Sequence, residues 1–180
     1  MPQTINNILR KSLRMRKELG MGFYVTDFIF RKIFRQNSDT QWAVHHTSTL
    51  HAPYNIKRGI HVFPGDSPGV YINALNGIEI GDYTNIGPHV GLISANHNFV
   101  NNEIANKAHP IIIGKHCWIG KGATLLPEVV LGDFTIVGAG AVVSKSFAEG
   151  YCVIAGNPAI KIKDLNKQEC LDFATTKQYN

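Results

Sequence analysis

"PIIIGKHCWIGKGATLLPEVVLGDFTIVGAGAVVSKSF", residues 110–147, decides the fold. From Ile113 onward every sixth residue is a large aliphatic: Ile113, Ile119, Leu125, Leu131, Val137 and Val143. Gly114, Gly120, Gly132 and Gly138 follow four of them. A helix repeats its apolar residues every three or four positions, and a half-buried strand alternates. A step of six fits neither. It fits a solenoid of short parallel strands, in which each hexapeptide forms one flat face and a turn. Its aliphatic points into a narrow interior, and stacked coils pair their backbones above and below. The glycines stand where a side chain would crowd a turn.

Backwards from Leu92 the same step finds Ile86 and Ile80, with Gly87 and Gly81 behind them. It then skips Ala74 and Pro68 and resumes at Val62, Ile56, Leu50 and Val44. The two series are out of phase: the 21 residues from Leu92 to Ile113 are three hexapeptides with three residues over. The break falls in the polar run "SANHNFVNNEIANKAHP", so residues 94–110 are expected as a loop thrust out of the solenoid. The Pro- and Gly-rich stretch 63–77 is expected as a second, smaller excursion.

The chain has 180 residues, 17 of them glycine, and a formal charge of +5. That length suits one domain, and the glycine content suits many tight turns without a collagen-like or disordered signature. Most of the positive excess is N-terminal: Arg10, Lys11, Arg14, Arg16, Lys17, Arg31, Lys32 and Arg35 face only Glu18 and Asp27 in the first 35 residues. Three cysteines, Cys117, Cys152 and Cys170, form no paired or ligand-like spacing, which fits a reduced, cytoplasmic setting. No apolar run is long enough to span a membrane, and no signal-peptide core opens the chain.

With repeats and loop in view, residues 44–165 resemble the hexapeptide-repeat acyltransferases, and within them the sugar and polysaccharide O-acetyltransferases related to galactoside, maltose and serine acetyltransferases. The resemblance rests on the quoted block and on the "IAGNPAIKIK" that follows. Two positions depart from the family pattern: Glu128 replaces a Gly after Pro127, and Ile160 stands where a basic residue is common, leaving Lys161 and Lys163 to supply charge. The resemblance implies a mainly β fold, a left-handed parallel β-helix over 41–163. It is flanked by an N-terminal helical segment, 1–40, and a C-terminal helix and tail, 164–180. It also implies a homotrimer, acetyl-CoA as co-substrate, and a saccharide acceptor, with no nucleic acid and no metal. The left hand comes from the family alone, since crossovers between parallel strands are ordinarily right-handed.

Moving an acetyl group from a thioester to a hydroxyl requires a base, a donor for the oxyanion and a slot for CoA. Imidazole suits the base because its pKa lies near working pH. His97 stands at the mouth of the loop, where similar enzymes hold their catalytic histidine, and is expected to take the hydroxyl proton and return it to the leaving thiolate. Asn73 and Asn76 are expected to bind the acceptor or the base, although Asn-Gly at 76–77 is also ordinary turn chemistry. Glu103 and Asp82 both qualify as the acid that orients the imidazole. For CoA the resemblance points to Trp118, Gly120, Lys121, Gly138, Ala139, Ser144, Lys145 and Lys163. Backbone N–H groups near Lys121 and Ala139 would meet the pantetheine amides, and one could serve the oxyanion. Lys145 and Lys163 fall where the 3′-phosphate would sit.

One branch of this fold binds zinc through histidines five residues apart on one coil. His109 and His116 are seven apart, so that reading is set aside. Residues 3–35 are expected as one or two helices, the first with Ile5, Ile8, Leu9 and Leu13 on one side. Three roles are open for them: capping the first coil, packing on a neighbouring subunit, or resting on an anionic membrane surface at its cytoplasmic face through basic residues beside Phe28, Phe30 and Phe34. Alternative functions are N-acetyl transfer to an amino sugar or antibiotic, and a silent scaffold. The long loop with its histidine argues against the scaffold.

Overall fold

The computed structural model describes residues 19–178. Its strands stack into three flat faces of a triangular prism. Face A holds β1 (Thr49–His51), β3 (Tyr71–Asn73), β6 (Gly91–Ile93), β9 (Thr124–Leu125) and β12 (Val142–Val143). Face B holds β2 (Ile56–Arg58), β4 (Ile78–Ile80), β7 (Ile111–Ile113) and β10 (Val130–Leu131). Face C holds β5 (Asn85–Ile86), β8 (Trp118–Ile119), β11 (Thr135–Val137), β13 (Cys152–Gly156) and β14 (Ala159–Asp164). The chain visits A, B and C in turn, the strands up to β13 pairing in parallel with the neighbouring coil: a left-handed parallel β-helix.

Register confirms the six-residue ladder where it is regular. Ile113 lies over Leu131, Ile119 over Val137, and Leu125 over Val143, each pair eighteen residues apart. All six are essentially excluded from water. A second inward ladder runs two places earlier and was not read from the sequence: Ile111 and Val129 on face B, Ala123 and Ala141 on face A, Cys117, Thr135 and Cys152 on face C. Each hexapeptide thus buries two side chains rather than one. The second escapes the eye because alanine, threonine and cysteine share it with the aliphatics.

The early coils are longer. Leu50 pairs with Ile72, and Ile72 with Leu92, steps of 22 and 20 residues. The stretch 63–77 is therefore no excursion, because β3 lies inside it and is paired on both sides. The true break is between Leu92 and Ile113, whose coil partners Leu125 and Leu131 keep normal spacing.

At the corner between faces B and C, five residues take the left-handed conformation without being glycine: His61, Tyr83, His116, Phe134 and Tyr151, with φ of 55, 57, 53, 55 and 49°. Such a backbone costs about 1–2 kcal/mol per residue. Their rings form a continuous stacked column with centroid spacings of 5.3, 5.1, 4.7 and 5.6 Å, a contact that offsets part of that cost.

Both ends are covered. Helix α1 (Met21–Phe28) continues as a π-helical turn, Ile29–Ile33. The buried Asp27 carboxylate accepts from Val44 N–H at 2.9 Å and from the Arg31 guanidinium at 2.7 Å, tying the helix to the solenoid. Asn37 stands in for a missing coil, accepting from Leu50 N–H and donating to the Ser48 carbonyl. The expected stripe at Ile5, Ile8, Leu9 and Leu13 lies outside the described residues. At the other end the solenoid stops sooner than expected. Strand β14 turns back antiparallel on β13, so residues 159–164 form a hairpin rather than a further coil, and α2 follows (Lys167–Gln178).

Candidate functional site

The loop 94–110 leaves the prism at the corner between faces A and B, where β6 ends and β7 has yet to begin. Asparagines organise it. Asn98 N–H donates to the Ile104 carbonyl and Asn106 N–H to the Asn96 carbonyl, both at 2.8 Å, while His97 bridges Ala105 antiparallel. Asn98 Oδ1 accepts from the N–H groups of Val100 and Asn101, which closes the tip. The neck is fixed by Asn76, whose Nδ2 donates to the carbonyls of Ser94 at 3.0 Å and Asn106 at 2.9 Å. Asn106 Nδ2 in turn donates to the His97 carbonyl at 3.3 Å. At the far end His109 N–H donates to the Glu128 carboxylate. Glu128 holds φ 67° in the place of the family's glycine, and this bond gives its side chain a task.

His97 itself is exposed, and its imidazole makes no hydrogen bond among the described residues. Asn73 lies on β3, in register with Ile93 of the strand that feeds the loop. Its Oδ1 accepts from Leu75 N–H, and its Nδ2 bonds no described residue, so a donor remains for an acceptor hydroxyl. Asn76 has no such freedom: both N–H bonds hold the neck. Glu103 is exposed in the loop, its carboxylate pairing with no described residue and its N–H bonded to Asn101 Oδ1.

Asp82 is elsewhere. It sits at the corner between faces B and C, across face B from the loop, and both its oxygens are engaged. Oδ1 accepts from Ile60 N–H at 2.8 Å, and Oδ2 pairs with Lys115 at 3.3 Å. The Ile60 bond, and then Lys115, hold its carboxyl below the ordinary carboxylate value. Asp82 fixes a turn and does not reach His97. Asp133 repeats the motif two coils on, accepting from Lys115 N–H.

The residues expected for CoA divide into groups. Trp118 projects outward from face C, half exposed, between Asn85 and Ile136 of the flanking coils. Lys121 and Ala139 occupy the next corner, between faces C and A, and are exposed; their backbone N–H groups bond no other described residue. Gly120 and Gly138 have a packing reason of their own, since a Cβ at Gly120 would sit 2.6 Å from the Val137 carbonyl and one at Gly138 2.9 Å from Ala155 Cβ. Ser144 and Lys145 follow β12 at the A–B corner, the loop's own edge, and are exposed. Lys163 is exposed on β14, while its neighbour Lys161 pairs with Asp164 at 2.8 Å.

One chain therefore brings His97, Asn73, Ser144 and Lys145 toward one edge and puts Trp118, Lys121 and Ala139 at another. A cavity of about 300 Å³ lies apart from the loop, on the aromatic column, lined by His61, Tyr83, Asn85, His116 and Phe173 of α2 among others. Among the described residues no three His, Cys, Asp or Glu side chains converge closely enough to hold a metal ion. The loop's structural asparagines, Asn98 and Asn106, went unread in the sequence. The available signal was the density of asparagine in 96–106, a residue type that bonds its own backbone in turns.

The bacterial transferase hexapeptide family, described as six repeats, matches residues 110–145. WcaF of Escherichia coli K12, which carries the name of a colanic acid biosynthesis acetyltransferase, is 32% identical over 112 residues, covering 62% of this chain and 60% of its own. YJL218W of Saccharomyces cerevisiae, which carries an acetyltransferase name, is 31% identical over 139 residues, 72% of this chain and 67% of its own. Among solved structures, a maltose O-acetyltransferase from Clostridium difficile 630 superposes with a TM-score of 0.60 at 30% identity, covering 67% of this chain and 64% of that one. The chain thus spans three-fifths of the length of WcaF. Ladder, loop and these likenesses agree: the chain belongs to the hexapeptide-repeat acyltransferase superfamily.

Proposed function

We propose that the protein is an acetyl-CoA-dependent O-acetyltransferase acting on a hydroxyl of a saccharide, working as a homotrimer with its sites between chains. The observation that carries this is the split site. An imidazole that bonds no described residue stands on a stapled loop at one edge, and two N–H groups that bond no described residue stand near an exposed tryptophan at another. Two copies set edge to edge complete one cleft.

Acetyl-CoA supplies the acyl group as a thioester. His97 takes the proton from the acceptor hydroxyl as its oxygen attacks the thioester carbonyl. It then delivers that proton to the sulfur as the C–S bond breaks. A backbone N–H of Lys121 or Ala139 faces the developing oxyanion. Asn73 orients the acceptor through its free amide donor, and Glu103 is the carboxylate assigned to the imidazole. Trp118 flanks the pantetheine arm, and Lys145, Lys163 and Ser144 meet the phosphates.

Release of free thiol from acetyl-CoA, followed across a panel of saccharides and amino sugars with the product bond identified by NMR, tests this reading. An ester product with His97→Ala reduced by about 10²–10⁴-fold is expected. Amide as the sole product would move the assignment to N-acetyl transfer. Full activity in His97→Ala would remove the proposed base, and a monomer by light scattering would remove the composite site.

A further inference from the structure

Helix α1 and its π-helical continuation are inside out. The face toward the solenoid carries the buried ion pair Asp27–Arg31, together with Phe23 and Phe30 resting on His45 and His46. Arg31 also donates to the Thr40 carbonyl at 2.9 Å. The face toward solvent carries Met21, Val25, Phe28, Ile29, Ile33 and Phe34, exposed by 36–67%. Their spacing of four, three, one and four residues makes a single helical stripe up to Ile33. An ordinary surface helix buries such a stripe. A contiguous apolar patch of this kind marks a contact surface.

Charge indicates what it contacts. Lys32 lies within the stripe and Arg35 directly after it, both exposed. The segment's single carboxylate between residues 19 and 38, Asp27, is buried and neutralised by Arg31. In sequence, Arg10, Lys11, Arg14, Arg16 and Lys17 precede it against Glu18 alone. An apolar stripe flanked by Lys32 and Arg35, with Glu18 and Asp39 as the nearest carboxylates beyond it, complements an anionic lipid surface. No described helix is long and apolar enough to cross a bilayer, so the helix would lie along it.

We propose that the outer face of residues 21–35 docks the protein on an anionic membrane surface, with Phe28, Ile33 and Phe34 in the acyl boundary and Lys32 and Arg35 at the headgroups. This docking does not depend on the transferase reading, since binding is measured without any acceptor.

The full chain is sedimented with vesicles of equal parts phosphatidylcholine and phosphatidylglycerol, and with phosphatidylcholine alone. Binding to the anionic vesicles stronger by roughly tenfold or more is expected, falling with added salt. Phe28→Ser with Ile33→Ser, and separately Lys32→Glu with Arg35→Glu, should each weaken it by a comparable factor while leaving thermal stability and mass by light scattering unchanged. The side chains are exposed, so neither pair perturbs the fold. Equal affinity for both vesicle types, or full binding in Phe28→Ser with Ile33→Ser, overturns the proposal. A drop in oligomer mass in that variant with vesicle binding intact would assign the face to a second copy instead.

Discussion

Asn76 Nδ2 joins the two ends of the 94–110 loop, donating to the Ser94 carbonyl where the loop leaves and to the Asn106 carbonyl where it returns. The bond to Asn106 is 2.9 Å long, and Asn106 passes the constraint on by donating to the His97 carbonyl. The position of the proposed base thus depends on two amides committed to the loop's own carbonyls.

Asn106→Ala should lower kcat about tenfold or more while leaving the KM for acetyl-CoA unchanged, because misplacing a reacting group by a fraction of an ångström is costly. Asn76→Ala should do the same and also destabilise by about 1–3 kcal/mol, since it leaves two carbonyls without their donor. Steady-state kinetics beside thermal melts separates the two. A KM effect with constant kcat would show Asn76 binding a substrate after all.

Gly120 sits where coils nearly touch, so Gly120→Ala should destabilise by about 1–3 kcal/mol through collision with the Val137 carbonyl. Gly122, at φ 69°, has open space around it, and Gly122→Ala should lose only about 1 kcal/mol of backbone strain energy. Denaturant midpoints check the order. Equal losses would mean the coils can spread.

Asp82 links stability to pH. Its carboxyl is held below its ordinary value of 3.8 by the Ile60 N–H bond and then by Lys115. A depressed folded-state pKa stabilises the fold fully above the unfolded value, and the contribution disappears as pH falls through the lower one. Asp82→Asn should therefore lower Tm near neutrality, and the gap from wild type should narrow as pH falls below the ordinary carboxylate value of 3.8. A gap independent of pH would show that the carboxylate's charge plays no part.

Burial pushes the Cys117 thiol up to about 11. It should stay unmodified by an aromatic disulfide reagent in the native protein and react on unfolding, because the thiolate is the reactive form. Cys170, half-buried on α2, should react first. Mass spectrometry of the labelled peptides decides.

The fold was legible wherever one rigid spacing held. Ile113 to Val143 could be placed because eighteen-residue coils bury the same position three times per turn of the prism. Before Leu92 the coils lengthen to 20 and 22 residues, so the step of six passed over Ile72 of the Leu50–Ile72–Leu92 ladder and landed on Val62 and Ile56 before it met Leu50. Trp118, Lys121, Ala139 and His97 were nameable from motif and loop. The sequence could not choose between Glu103 and Asp82, because which corner a carboxylate occupies and which N–H it meets is a matter of coil stacking.

By itself the sequence determined the period, the interruption and the presence of a histidine at it, since these are local spacings along one chain. The tertiary structure alone decided which corner each residue occupies, and so that His97 and Ala139 stand at different edges. It also decided that Asn76 Nδ2 staples the loop's two ends, and that α1 turns its apolar side outward. Each depends on contacts between residues a coil or more apart, whose geometry no local spacing contains.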